Sequence, residues 1–223
     1  AQSIDEMVNH ARESGYEYIA ITDHSKFLQV ANGLNETGLR RQREEIERIK
    51  EKYNDIHIFA GIEMDILPDA RLDFSDDVLK EMDFVIASIH SGFSQSKEKN
   101  MNRLRAAMEN PYVSLIAHPT GRLIGTRAGY EVDLEALIGL ALETDTALEI
   151  NANPHRLDLS AKWVKIAHEA GVKIAINTDA HHINGFSFMQ YGVSVAKKAW
   201  TPKDTVINTW TKEKLIDYLK RRK

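Results

Sequence analysis

Six short runs of almost unbroken apolar residues, spaced by stretches of helical periodicity, constrain this chain more than anything else in it. They fall at 18–23, 56–66, 84–90, 114–118, 147–151 and 173–179. A strand that shows one face to water alternates apolar with polar residues, so continuous runs of this length predict strands covered on both faces. Between them, Leu39, Gln42, Ile46, Ile49 and Tyr53 recur at 3-4 spacing, as do Leu134, Leu137, Ile138, Ala141 and Leu142, and Trp163, Val164 and Ala167. Parallel strands need crossovers of a dozen or more residues, and amphipathic helices supply them. Ser75, Asp133, Ser160 and Thr211 are placed to cap helices, and Gly15 and Gly171 to end them. The helix-Gly-strand unit echoes itself, with the same eight-residue step from Gly15 to Asp23 as from Gly171 to Asp179. The expectation is an α/β parallel barrel formed by a single domain over residues 1–223. Ser3-Ile4-Asp5-Glu6 reads as a capping box, so a helix opens the chain where a right-handed βα fold normally starts with a strand.

Composition narrows the function. No window approaches 18 uninterrupted apolar residues, and the first residues lack the basic and apolar regions of a secretory signal, so a cytoplasmic protein with no membrane span is expected. The 29 Lys and Arg against 33 Asp and Glu give a net charge of −4, which argues against a broad basic face that wraps nucleic acid. The chain has no Cys, so any transition-metal site must use His and carboxylate ligands.

Those ligands collect at one end of the strands. His24, His90, His118 and His181 stand at or just past the C-terminal ends of expected strands, together with Glu63 and Asp179. That is the face on which barrel active sites form. One such His is usually a hydrogen-bonded structural residue, but imidazoles and carboxylates converging from five strands point to a bound metal cluster. With more ligands than one tetrahedral ion needs, two or three divalent ions of the Zn, Mn or Fe type are expected, a set suited to hydrolysis of phosphoesters. Arg122 and Arg127 follow the His118 strand on a loop that should overhang the site, where Arg forks bind phosphate oxygens. Asn151, Asn153 and Arg156 are placed to orient a substrate. His57 enters a strand at its opposite end, His10 and His168 lie in helices, and residues 220–223 read as a solvated helix end.

In order along the chain, Ile21-Thr-Asp-His24-Ser, Gly61-Ile-Glu63-Met-Asp, Ser88-Ile-His90-Ser, Ala117-His118-Pro-Thr-Gly-Arg122-Leu-Ile-Gly, Glu149-Ile-Asn-Ala-Asn-Pro and Thr178-Asp179-Ala-His181 resemble the PHP (polymerase and histidinol phosphatase) superfamily. The likeness is strongest to the C-terminal PHP domain of bacterial family X DNA polymerases. It implies a distorted (β/α)7 TIM-like barrel, a trinuclear Mn or Zn site held by His24, Glu63, His90, His118, Asp179 and His181, and phosphoesterase activity. For the polymerase-linked branch it implies 3′-to-5′ exonuclease action on DNA 3′ ends in repair, beside polymerase and helix-hairpin-helix domains. The family opens with a strand bearing His-x-His, followed by an Asp in a Ser-Asp-Gly turn, and this sequence starts just after both. A chain that lacks its first strand and up to three ligands, as a fragment of a larger polymerase, is therefore expected. Two other readings keep the same barrel: a small-molecule phosphatase of the histidinol phosphatase type, and a catalytically silent docking module.

Overall fold

The computed structural model describes residues 2–221. Strands β1 (Tyr18–His24), β2 (His57–Asp65), β3 (Phe84–Ser88), β4 (Val113–Ile116), β5 (Ala147–Asn151) and β6 (Ile174–Asn177) pair in chain order, all parallel. Their helices are α1 (Ile4–Glu13), α2 (Glu36–Lys52), α3 (Asp76–Leu79), α4 (Lys97–Glu109), α5 (Leu134–Glu143), α6 (Ala161–Glu169), α7 (Met189–Lys198) and α8 (Lys212–Lys220). The parallel α/β architecture is as expected, with six strands among the described residues where the family resemblance implied seven.

The local signals work largely as physical chemistry requires. Ser3 accepts from the Glu6 amide while the Glu6 carboxylate accepts from Ser3 N, closing the capping box that starts α1. Gly15 and Gly171 take the left-handed backbone that follows a helix end, at φ 82° and 97°. Asp133 and Thr211 cap through their side chains, whereas Ser75 and Ser160 adopt the extended cap backbone without a side-chain bond. Two expectations are corrected. Leu142 is half exposed, because α5 buries Leu137, Ile138, Leu140 and Ala141 instead. Arg221 is not a solvated end: Nε donates to Asp145 Oδ2 at 2.6 Å, and the guanidinium lies 3.5 Å from the Tyr218 ring centroid. Residues 222 and 223 fall outside the described part.

The sheet is curled, and one segment touches both its edges. On β6, Ile174 bridges to Val206, and the Asn208 side chain acts as a stand-in strand, accepting from Ile176 N at 2.7 Å and donating to Ile176 O at 2.8 Å. On β1, the Tyr18 hydroxyl donates toward Ile207 O and Trp210 O at 3.2 and 2.9 Å. Facing inward near the strand starts are Phe59, Phe84, Leu115, Ala147 and Ala175, packed on Trp210, Leu215, Tyr218 and Leu219 at and within α8. Because side chains alternate, the same inward columns continue toward the strand ends as Glu63 and Asp65 on β2, Ser88 on β3, Glu149 and Asn151 on β5 and Asn177 on β6. The concave face is thus apolar below and polar above. At the turnover sits Gly61, where a Cβ would lie 2.5 Å from Phe84 O.

Candidate metal centre

The polar end of the concave face is organised around a single carboxylate. Glu63, near the end of β2 and two residues before Asp65, is in register with His24 across the β1–β2 pair. Its Oε1 lies 3.1 Å from His118 Nε2 and 3.3 Å from His90 Nε2, and its Oε2 lies 3.3 Å from His24 Nδ1. One donor atom from each of His24, Glu63 and His90 falls within 4.8 Å of the others, a spacing a shared cation can bridge. The three rings surround the carboxylate, His24 edge-on to His90 and His90 tilted against His118, each pair with centroids 5.1 Å apart.

The donor set fits a divalent ion. His118 Nδ1 is buried without a hydrogen-bond partner, and His24 Nδ1 is buried with only the 3.3 Å approach of Glu63 Oε2 in place of one, and buried ring nitrogens without hydrogen bonds are costly unless something coordinates them. Asp65, fully buried, supports the cluster from behind: its Oδ1 accepts from His90 Nδ1 at 3.2 Å, leaving His90 Nε2 aimed at Glu63. A carboxylate behind an imidazole is the usual support of a metal-binding His. Asp65 was missed in the sequence, although its place two residues after Glu63 puts it on the same face.

The electrostatics describe a site that wants positive charge. Burial disfavours a charged His90, yet its hydrogen bonds to Asp65 and Glu63 outweigh that and push it up to about 10. Burial likewise raises Glu63, but His118 and His90 more than offset it and hold the carboxyl well below its usual value. Burial lowers His24 despite Glu63 beside it.

Beyond β6 the ligand geometry is looser. Asp179 has φ 54° and its Oδ2 accepts from Asn151 Nδ2 at 3.2 Å, with Arg156 Nε 3.6 Å away. The His181 side chain is 64% exposed; its Nδ1 contacts Asp179 O at 2.9 Å and its ring centroid lies 5.8 Å from that of His24. So His24, Glu63, His90 and His118 form one contact cluster, with Asp179 and His181 at its rim. His118, at φ 29°, is fixed by its backbone: its N–H donates to Glu149 Oε2 at 2.6 Å. Burial pushes Glu149 up to about 7 against the bond it accepts from Asn177. Arg122 donates Nε to Arg156 O at 2.8 Å and Nη2 to Leu157 O, and Arg127 donates to Gly121 O at 2.8 Å with its guanidinium 3.9 Å from the Phe93 ring centroid. Of these cations, Arg156 is the one in contact with a candidate ligand. His10 packs edge-on to Phe186 and His168 contacts Ala199 O, structural places in keeping with their helices.

Comparison with known proteins agrees with the motifs. The chain is 51% identical over 221 residues to the DNA polymerase/3′-5′ exonuclease PolX of Bacillus subtilis (strain 168), covering 99% of this chain and 39% of that protein. It is 30% identical over 234 residues to a probable phosphatase of Thermoanaerobacter sp. (strain X514), with 99% of this chain and 89% of that protein covered. A probable phosphatase of Caldanaerobacter subterraneus is 28% identical, over 97% of this chain and 85% of that protein. No helix among the described residues is long and apolar enough to cross a membrane. The PHP domain family matches residues 1–179, and with the buried His and Glu cluster at the strand ends in place, the chain belongs to that family.

Proposed function

We propose that this chain is a metal-dependent phosphoesterase acting on DNA 3′ ends. The observation that carries the reading is Glu63, a buried carboxylate in contact with three imidazoles from three other elements. His24, Glu63, His90 and His118 would hold the ions, with Asp179 and His181 completing the set of two or three. Bound there, divalent ions supply Lewis acidity toward phosphoryl oxygens and lower the pKa of water.

The chain's own residues supply position and exclusion. Asp65 orients His90, Glu149 fixes the His118 backbone, and the apolar floor of Phe59, Phe84 and Leu115 seals the site from below. Arg156, beside Asp179, would meet a phosphate oxygen, and Arg122 and Arg127, which donate to the Arg156 and Gly121 carbonyls, would support it. The 51% identity to PolX supports DNA ends as the substrate, in the setting of neighbouring polymerase and helix-hairpin-helix domains. The coverage of 89% of a probable phosphatase favours, as the second reading, a small phosphomonoester substrate.

A 5′-labelled oligonucleotide and histidinol phosphate, each incubated with Mn-loaded protein, separate the two. Stepwise 3′ shortening that is lost with chelator and in His90→Ala supports the nuclease. Phosphate release without shortening supports the phosphatase, and neither activity in a metal-loaded protein leaves a docking barrel.

A further inference from the structure

Arg103, on α4, is the largest side chain buried to 2% exposure or less, and the site as described above does not use it. A buried guanidinium is expensive unless its donors are met. Its Nη1 donates to Ser91 O at 2.9 Å and to Gln95 Oε1 at 3.2 Å, and its Nη2 donates to Ile66 O. The two backbone carbonyls belong to the residues that immediately follow His90 and Asp65, the imidazole and the carboxylate that supports it. The same stitch has further threads. Gln95 Nε2 donates to Pro68 O at 2.9 Å, and Asn100 Nδ2 donates to Gln95 O at 3.1 Å and Glu131 O at 2.9 Å. Gly92 has φ 68°, and a Cβ there would lie 3.2 Å from Arg103 Nη1, so the chain leaves room for the guanidinium in the turn after His90. The β2–β3 ladder ends with the pair Asp65 and Ser88 and a last bond from Ile66 N–H to Ser88 O at 2.8 Å, and beyond it Arg103 joins the Ile66 carbonyl to the turn after His90.

We propose that Arg103 is a positioning residue of the metal centre: by clamping the Ile66 and Ser91 carbonyls it sets the spacing of Asp65 and His90, and so aims His90 Nε2 at the ion beside Glu63. This rests on the metal-centre reading and deepens it. Groups that hold a ligand in place by hydrogen bonds typically tune metal affinity about tenfold to a hundredfold without touching the ion. A planar fork meets two carbonyls in fixed directions, which a Lys ammonium cannot reproduce.

The test is Co(II) titration, followed by visible d–d absorption, of the parent chain, Arg103→Met, Arg103→Lys and Asn208→Ala. The last removes hydrogen bonds at the β6 edge of the sheet, away from the Arg103 contacts, and serves as the control for lost stability alone. Expected is a tenfold or greater loss of affinity in Arg103→Met with an altered d–d band, partial recovery in Arg103→Lys, and parental affinity in Asn208→Ala despite a lower Tm. Affinity within twofold of the parent in Arg103→Met, with Tm lowered as in the control, overturns the proposal. Should Arg103→Met fail to fold, Gln95→Ala loosens the same stitch, and unchanged Co(II) affinity there overturns it equally. Failure of the underlying reading looks different: the parent chain itself then gives no Co(II) spectrum.

Discussion

Glu63→Gln offers the sharpest test of the centre, because one substitution removes the carboxylate that, alone among the described residues, contacts His24, His90 and His118 together. An ion that binds the folded chain alone stabilises it by about 2.7 kcal/mol when present at a hundred times its dissociation constant. For a chain of 223 residues, each kcal/mol moves Tm by roughly 2–4 °C, so the parent should gain about 5–11 °C on adding Mn or Zn. Glu63→Gln should lose that gain. It should also be less stable in chelator, since it leaves the raised His90 with Asp65 as its remaining anion; breaking a buried pair costs about 3–5 kcal/mol. His181→Ala, with a side chain 64% exposed, should keep at least half of the metal-induced shift. Differential scanning calorimetry with chelator and with added ion gives all three values. A parent Tm indifferent to millimolar Mn and Zn, or an equal shift in Glu63→Gln, refutes the reasoning.

Asn208→Ala should cost about 2–3 kcal/mol in urea unfolding, because the amide groups it satisfies on Ile176 lose two hydrogen bonds at the sheet edge; a loss below about 0.5 kcal/mol would show water filling in. Asp145 is held below the usual carboxylate range: burial opposes this, but Lys173 and Arg221 prevail. Its contribution is therefore present above the unfolded pKa of about 3.9 and lost as pH falls through the lower folded value. Asp145→Asn should then be less stable by about 0.5–1 kcal/mol at pH 7, discounted for its exposure, with the gap closing below about pH 4 in chemical denaturation. Val30→Asp, at a position 93% exposed, should leave stability within about 0.5 kcal/mol, and a larger fall in Tm would place Val30 against something.

The strands and the ligand-bearing face were legible because burial on both sides forces continuous apolar runs, and a polar residue closing such a run stands out. His24, Glu63, His90 and His118 were found in that way. Helix α4 was not, since the positions it buries include Asn100 and Arg103, which blur any apolar stripe. Asp65 and Glu149 were legible in principle, each sharing a face with a named residue by the two-residue strand period, yet a buried acid reads as ordinary strand punctuation until its partner is seen. Arg221 looked like a free end because its partners, Asp145 and Tyr218, include one 76 residues away. The Asn208 edge was invisible for the same reason: nothing local in Ile207-Asn208-Thr209 announces that an amide will stand in for a strand.

The bond between the first strand and the last loop also has a history in time. Tyr18 waits for partners 189 and 192 residues downstream, and synthesis at about 5–20 residues per second puts roughly 10–40 s between them. Throughout that interval Tyr18 lacks its two carbonyl partners and the nascent sheet has an uncovered floor at Phe59 and Phe84, the kind of surface that chaperones hold. The ribosome thus delivers the candidate ligands well before the floor is covered: His24, Glu63, His90 and His118 are all made before α8 emerges to pack beneath them.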